Sequence, residues 1–170
     1  MLGALFLASP QRGLLFPSMN THMWEHPQTF LSALECVKLG HKVVEPAEGP
    51  LACGTVGKGR MQDNSHVLEE IWRALSPVKD FVGKKVLVTA GPTWEYLDPV
   101  RFLSNPSSGR MGYALAREAW YRGAEVTLLS GPVCEGNPYG LRHISVVSAE
   151  EMRVQMQSLR EEYDILFMAA

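Results

Sequence analysis

Cysteine is scarce and unpaired in this chain of 170 residues: Cys36, Cys53 and Cys134 are odd in number, widely spaced, and form no C-x-x-C pair. A disulfide framework and the usual zinc or redox spacing are thereby excluded, and reduced thiols in a cytoplasmic setting are the expectation. His22, His26, His41, His66 and His143 show no ligand spacing, so no metal site is expected. An excess of one charge is missing too. The formal net charge of -2 gives no basic footprint for nucleic acid, and no polybasic block suits an anionic membrane. The apolar start, Leu2 to Ala8, is interrupted by Ser9-Pro10 and lacks a preceding basic region. It is too short to span a bilayer and a poor signal peptide. Internal repeats and low-complexity tracts are also absent. What remains, 46% hydrophobic and 20% charged, is ordinary globular composition suited to small-molecule ligands.

The periodicity describes two α/β pieces. In the first, Gly13 to Phe16 reads as a strand, Gln28 to Leu39 as a helix closed by Gly40, and Lys42 to Val44 as a strand. Asn64 is placed to cap a helix running to Leu75, after which Ser76-Pro77 breaks the pattern. In the second, Val86 to Val88 is a buried parallel strand, and Tyr113, Leu115, Ala116, Ala119 and Trp120 recur at helical spacing before Gly123. Val126 to Leu129, Ile144 to Val147 and Ile165 to Met168 read as further strands. Ser148-x-x-Glu151 is a capping box opening a helix to about Glu161.

Between the first of these strands and its helix lies T-A-G-P-T-W-E-Y-L-D-P-V-R-F-L-S-N-P-S-S-G-R-M-G, Thr89 to Gly112. It begins where an open α/β sheet places its ligand crevice, at the carboxyl end of a strand. It ends with Ser107, Ser108 and Gly109 at a helix N-terminus, where free N–H groups and the helix dipole favour a phosphate. A nicotinamide-dependent dehydrogenase is the nearest alternative. A dinucleotide fingerprint, however, turns tightly from strand to helix and carries an acid at the tip of the next strand. Here Gly91 to Pro106 intervene, and Val126 to Leu129 ends in Ser130-Gly131-Pro132. Taken alone, Asn105 before Pro106 also suits a turn, Ser107 a helix cap, and Arg101 a surface cation. Asp98 and Glu95 stay ambiguous, since Asp-Pro also starts turns.

Gly91-Pro92-Thr93-x-Glu95, Asp98-Pro99-Val100-Arg101-Phe102 and Ser104-Asn105-x-Ser107-Ser108-Gly109-x-x-Gly112 resemble phosphopantothenate-cysteine ligase. That enzyme of coenzyme A biosynthesis is commonly fused behind a flavin-dependent phosphopantothenoylcysteine decarboxylase. The upstream sequence resembles the decarboxylase in turn. Pro17 to Trp24, P-S-M-N-T-H-M-W, is similar to its P-x-M-N-x-x-M-W, with Ser18 in place of the common alanine. Gly49-Pro50-Leu51-Ala52-Cys53-Gly54 and Gly57-Lys58-Gly59-Arg60-Met61 resemble its mobile flap. The implied architecture is α/β, two partial Rossmann-like three-layer units with mostly parallel sheets. Residues 1–75 would be the back of the decarboxylase, 76–83 a linker, and 84–170 the front of the ligase.

The resemblance implies roles residue by residue. In the ligase part, Gly91, Ser107, Gly109 and Gly112 hold CTP, which comes with Mg2+, and Asn105 grips 4'-phosphopantothenate as the acyl-cytidylate forms. Arg101 reaches the substrate phosphate from a neighbouring subunit, implying a dimer. Met168 and Ala169 contact nucleotide, and Ala170 contacts substrate, at a strand end. In the decarboxylase part, which uses FMN, Cys53 is the proton donor, on a loop whose glycines let it close. Asn20 holds the carboxylate that leaves, and Met23 lines the same pocket. Cys36 is left to helix packing and Cys134 to a loop. By the same resemblance Leu2 to Ala8 ends an internal helix, a catalytic histidine lies before Met1, and an aspartate and lysines lie beyond Ala170. The expectation is that this polypeptide alone completes neither reaction. A nucleotide-binding module without catalysis is the other reading.

Overall fold

The structure, a computed structural model, describes Ala8 and residues 11–170. Of the apolar start expected to end a helix, all but Ala8 lies outside the described residues. The chain forms two compact units, Met1–Ala74 and Leu75–Ala170.

In the first unit, β1 (Leu14–Leu15) pairs in parallel with β2 (Lys42–Val43) across α1 (Thr21–Trp24) and α2 (Pro27–Lys38). Pro27 occupies the first turn of α2, where its missing N–H costs nothing, and His26 Nδ1 accepts from Gln28 N–H. The Gly49–Met61 segment is an antiparallel hairpin of β3 (Ala47–Pro50) and β4 (Val56–Arg60). Its glycines had been read as a device for movement. A Cβ at Gly57 would lie 2.5 Å from Thr21 Oγ1, and one at Gly59 would lie 2.2 Å from the Met19 carbonyl oxygen. Gly57 and Gly59 face one way along the strand, so they let β4 lie directly against Met19–Thr21. The next helix, α3 (Asn64–Leu75), starts one residue earlier than expected. Asn64 is inside it, and the Asp63 carbonyl accepts the first helical bond, from Val67.

The second unit is a sheet in the order β10-β5-β8-β9, all parallel, formed by β5 (Lys85–Ala90), β8 (Glu125–Ser130), β9 (Arg142–Ser145) and β10 (Ile165–Ala169). Strand β5 is central and buried on both faces, which is why it reads as a continuous apolar run. On one face Val86, Val88, Ala90, Val126 and Leu128 pack with Tyr113, Ala116, Ala119 and Trp120 of α4 (Arg110–Tyr121). On the other, Leu87, Leu129 and Val146 pack with Met152 of α5 (Ala149–Ser158) and with Leu159. The period-two alternation of β5 thus feeds two cores and gives three layers. The helix expected to reach Glu161 stops at Ser158 and tightens into a single 3-10 turn, Arg160–Glu162. A short hairpin of β6 (Glu95–Tyr96) and β7 (Phe102–Leu103) fills the segment before α4 that was read as loop.

Residues 76–83, read as a linker, belong to the second unit. Lys79 Nζ donates to the Tyr121 carbonyl at 2.7 Å, Phe81 N–H donates to the Arg122 carbonyl, and Asp80 pairs with Arg122. The Arg122 guanidinium sits 4.3 Å from the centre of the Phe81 ring.

Candidate functional site

The chain reverses its direction of winding at β5. From β5 it proceeds to β8 and β9 on one side, then returns to place β10 on the other. The carboxyl ends of β5 and β10 therefore flank the switch point, where open α/β sheets bind ligands. Ala90 and Ala169 are partners in register there, and Ala169 N–H donates to Thr89 Oγ1 at 3.2 Å.

Backbones meet closely at this edge. Gly91 and Gly109 both take left-handed φ, +77° and +74°, and a Cβ at either would lie within 2.8 Å of Val133 Cγ1. A Cβ at Gly131 would lie 1.6 Å from the Pro92 carbonyl oxygen, and one at Gly112 would lie 2.4 Å from Ala90 Cβ. These glycines bring the α4 N-terminus onto the ends of β5 and β8, and Gly112 faces the sheet rather than the opening. Gly109 is the N-cap of α4 and supplies no side-chain cap. The N–H groups of Arg110, Met111 and Gly112 thus have no partner within the helix, and the dipole leaves partial positive charge at this end. Ser107 Oγ accepts from Gly109 N–H at 3.3 Å, so Ser107 braces the turn and does not cap the helix.

The other expected residues are spread around this edge. Asn105 is exposed, and its carbonyl accepts from Ser104 Oγ at 3.4 Å. Arg101 is 77% exposed, with Nε 2.6 Å from Asp98 Oδ2. Asp98 Oδ1 also accepts from Val100 N–H and Arg101 N–H, and these bonds with the Arg101 side chain hold its carboxyl below the usual range. Asp98 therefore fastens the turn between β6 and β7. Glu95 has a structural task as well: its Oε1 accepts from Ala149 N–H, the first residue of α5, at 2.9 Å. Met168 is 72% exposed and Ala170 is exposed.

In the first unit the structure brings Asn20 and Cys53 together. Asn20 Oδ1 caps α1 through His22 N–H at 2.8 Å, and its Nδ2 donates to Cys53 Sγ at 3.2 Å. Cys53 is exposed at the tip of the β3–β4 hairpin, and Thr55 Oγ1 lies 3.2 Å from its sulfur. Hydrogen bonds from Thr55, and a smaller one from Asn20, hold the thiol below its ordinary range against the opposing effect of partial desolvation. Sequence reasoning passed over Thr55, although a hydroxyl two residues from a cysteine in a glycine-rich turn is a legible signal. Met23 is exposed on α1, and its carbonyl accepts from Thr29 Oγ1. Thr21 Oγ1 is buried beneath Gly57 without a hydrogen-bond partner. Cys36 is half-buried in α2, and Cys134 is exposed.

Among the described residues, no group of three or more His, Cys, Asp or Glu is placed to hold a metal ion. No described helix is long and apolar enough to cross a membrane.

Comparison with known proteins is in keeping with this division. A model described as "Flavoprotein" matches residues 4–76. The coenzyme A biosynthesis bifunctional protein CoaBC of Bacillus subtilis (strain 168) is 42% identical over 173 residues, covering 100% of this chain and 43% of that protein. Its counterpart in Escherichia coli (strain K12) is 36% identical over 170 residues, covering 100% of this chain and 42% of that protein. The chain thus spans less than half the length of these curated relatives. A crystal structure of the C-terminal domain of coenzyme A biosynthesis bifunctional protein CoaBC matches with a TM-score of 0.52 and 42% identity. That match covers 54% of this chain and 47% of the solved one. The model for the DNA/pantothenate metabolism flavoprotein C-terminal domain matches residues 81–170, more than half of the chain, and the chain belongs to that family.

Proposed function

We propose that the chain serves coenzyme A biosynthesis, its second unit in CTP-dependent joining of 4'-phosphopantothenate to cysteine, its first in decarboxylation of the product. The observation that carries the ligase reading is the uncapped α4 N-terminus set beside the switch point between β5 and β10. Joining a carboxylate to an amine in water needs activation, and a nucleoside triphosphate supplies it by forming an acyl-nucleotide with loss of pyrophosphate. Free N–H groups at Arg110 to Gly112 suit the triphosphate, with Mg2+ arriving as part of that substrate. Asn105, neutral and able both to donate and to accept, suits the carboxylate under conversion. Ala169 and Ala170, at the end of β10, bound the same edge.

Arg101 offers a planar fork for the substrate phosphate once it exchanges its Asp98 partner. An exposed apolar rim surrounds it: Tyr96, Leu97, Val100 and Leu103 of the β6–β7 hairpin. Such exposed apolar side chains favour a dimer in which Arg101 serves the neighbouring subunit.

For the decarboxylase, the Asn20–Cys53 contact is the support. Asn20 keeps a second Nδ2 hydrogen for a departing carboxylate, while the Cys53 thiol is the proton donor. FMN is the proposed cofactor. A cavity of about 270 Å3 lined by Phe16, Pro17, Met19 and Trp24 suits an apolar ring, but no Lys or Arg lines it to receive a phosphate. The described residues therefore fit part of this cofactor only.

Calorimetric titration tests the ligase reading. CTP is expected to bind and NAD not to bind. With CTP present, 4'-phosphopantothenate is expected to bind more weakly to Asn105→Ala than to the parent chain. Binding of NAD without binding of CTP would overturn the reading in favour of a dehydrogenase.

A further inference from the structure

The tip of the β3–β4 hairpin holds a polar side chain that the proposed chemistry leaves unused. Thr55 lies two residues after Cys53, in a turn closed by Leu51 N–H donating to the Thr55 carbonyl at 2.8 Å and Gly54 N–H donating to the Leu51 carbonyl at 2.9 Å. Gly54 takes a φ of +84° with open space on its Cβ side, a backbone conformation that a side chain would strain. The turn sets Thr55 Oγ1 at 3.2 Å from Cys53 Sγ. On the other side, Asn20 Nδ2 approaches the same sulfur at 3.2 Å. The Asn20 amide has no freedom to reverse, because its Oδ1 is held by His22 N–H. The sulfur therefore has one neighbour that can only donate and one hydroxyl that can donate or accept.

We propose that Thr55 is a positioning residue for Cys53. Its hydroxyl accepts the S–H proton in the resting thiol and turns to donate to sulfur once that proton has gone. When Cys53 acts as an acid, the S–H bond breaks, the electron pair stays on sulfur, and the proton passes to the substrate. The thiolate then has two donors, Thr55 O–H and Asn20 N–H, where the thiol had one. Among the described residues no charged group acts on this sulfur, so the hydrogen bonds alone favour the thiolate, and those of Thr55 act most strongly. The role rests on the reading of Cys53 as proton donor. It adds a residue that governs how readily the proton leaves.

The test is a pH titration of the Cys53 thiolate absorbance, without substrate, in a chain carrying Cys36→Ala and Cys134→Ser. Thr55→Val keeps the branched shape without the hydroxyl, and its midpoint is expected to move to higher pH. Thr55→Ser restores the hydroxyl and is expected to titrate with the parent. Where Val disturbs the fold by circular dichroism, the pH dependence of Cys53 alkylation by iodoacetamide in Thr55→Ala gives the same reading. An unmoved midpoint on loss of the hydroxyl, or a serine variant displaced as far as the valine one, overturns the proposal. Failure of the decarboxylase reading would appear separately, as absence of substrate binding, and leaves this titration standing.

Discussion

His143 sits in β9 with Nε2 2.9 Å from Ser130 Oγ and 3.5 Å from Tyr113 OH, in a polar cluster between sheet and α4. Burial pushes its imidazole below the ordinary histidine value. Well above about pH 6.5 it is neutral whether the chain is folded or not, and it costs nothing. Below that, the unfolded chain takes up a proton that the folded one resists, so stability falls as pH drops toward the folded value. Denaturant melts of the parent chain are expected to weaken through this window, and His143→Gln to weaken less. Equal slopes in both would show that His143 does not titrate on unfolding. This cluster was not legible beforehand, since Tyr113, Ser130 and His143 come together only when α4 folds over β8. Cys53 and Asn20 were legible because each stands in a motif of its own. Thr55 was not singled out, although its place two residues after Cys53 in a glycine-rich turn was open to reading; the structure adds the contact of its hydroxyl with sulfur.

At the scale of elements, the closest fit is between α4 and β5. A methyl group at Gly112 would stand 2.4 Å from Ala90 Cβ and 3.0 Å from the Thr89 carbonyl oxygen. Gly112→Ala must push the helix N-terminus off the strand end, at a cost of about 1–3 kcal/mol typical of overpacked sites. A thermal melt reads that loss, and an unchanged midpoint would mean that α4 yields without strain. The resemblance assigns the position to the nucleotide, and the close fit against Ala90 adds a packing reason for the missing side chain. The capping box at α5 was legible with one refinement. Ser148 Oγ accepts from Glu151 N–H, but Glu151 Oε2 accepts from Val147 N–H, one residue before the N-cap Ser148. The β6–β7 hairpin was not legible. Its strands are two residues each, and it is held by the Trp94–Phe102 stack, with ring centres 4.4 Å apart, and by Glu95 reaching α5. No sequence period reports such contacts.

At the scale of the whole molecule, burial is uneven. The largest fully buried apolar residues of the second unit lie in β5 and β8, whereas the first unit leaves Phe30, Leu31, Leu68 and Trp72 exposed on its helices. The best-protected backbone should therefore be the central strands of the second unit, with the α4 N-terminus and the end of β10 at their open edge. That geometry makes one measurement decisive for the claim that this edge receives a nucleoside triphosphate: amide hydrogen exchange with and without saturating CTP. Slowed exchange is predicted at residues 91–93, 107–112 and 168–170, with the first unit unchanged. No change on adding CTP, or slowing confined to residues away from that edge, would contradict the account.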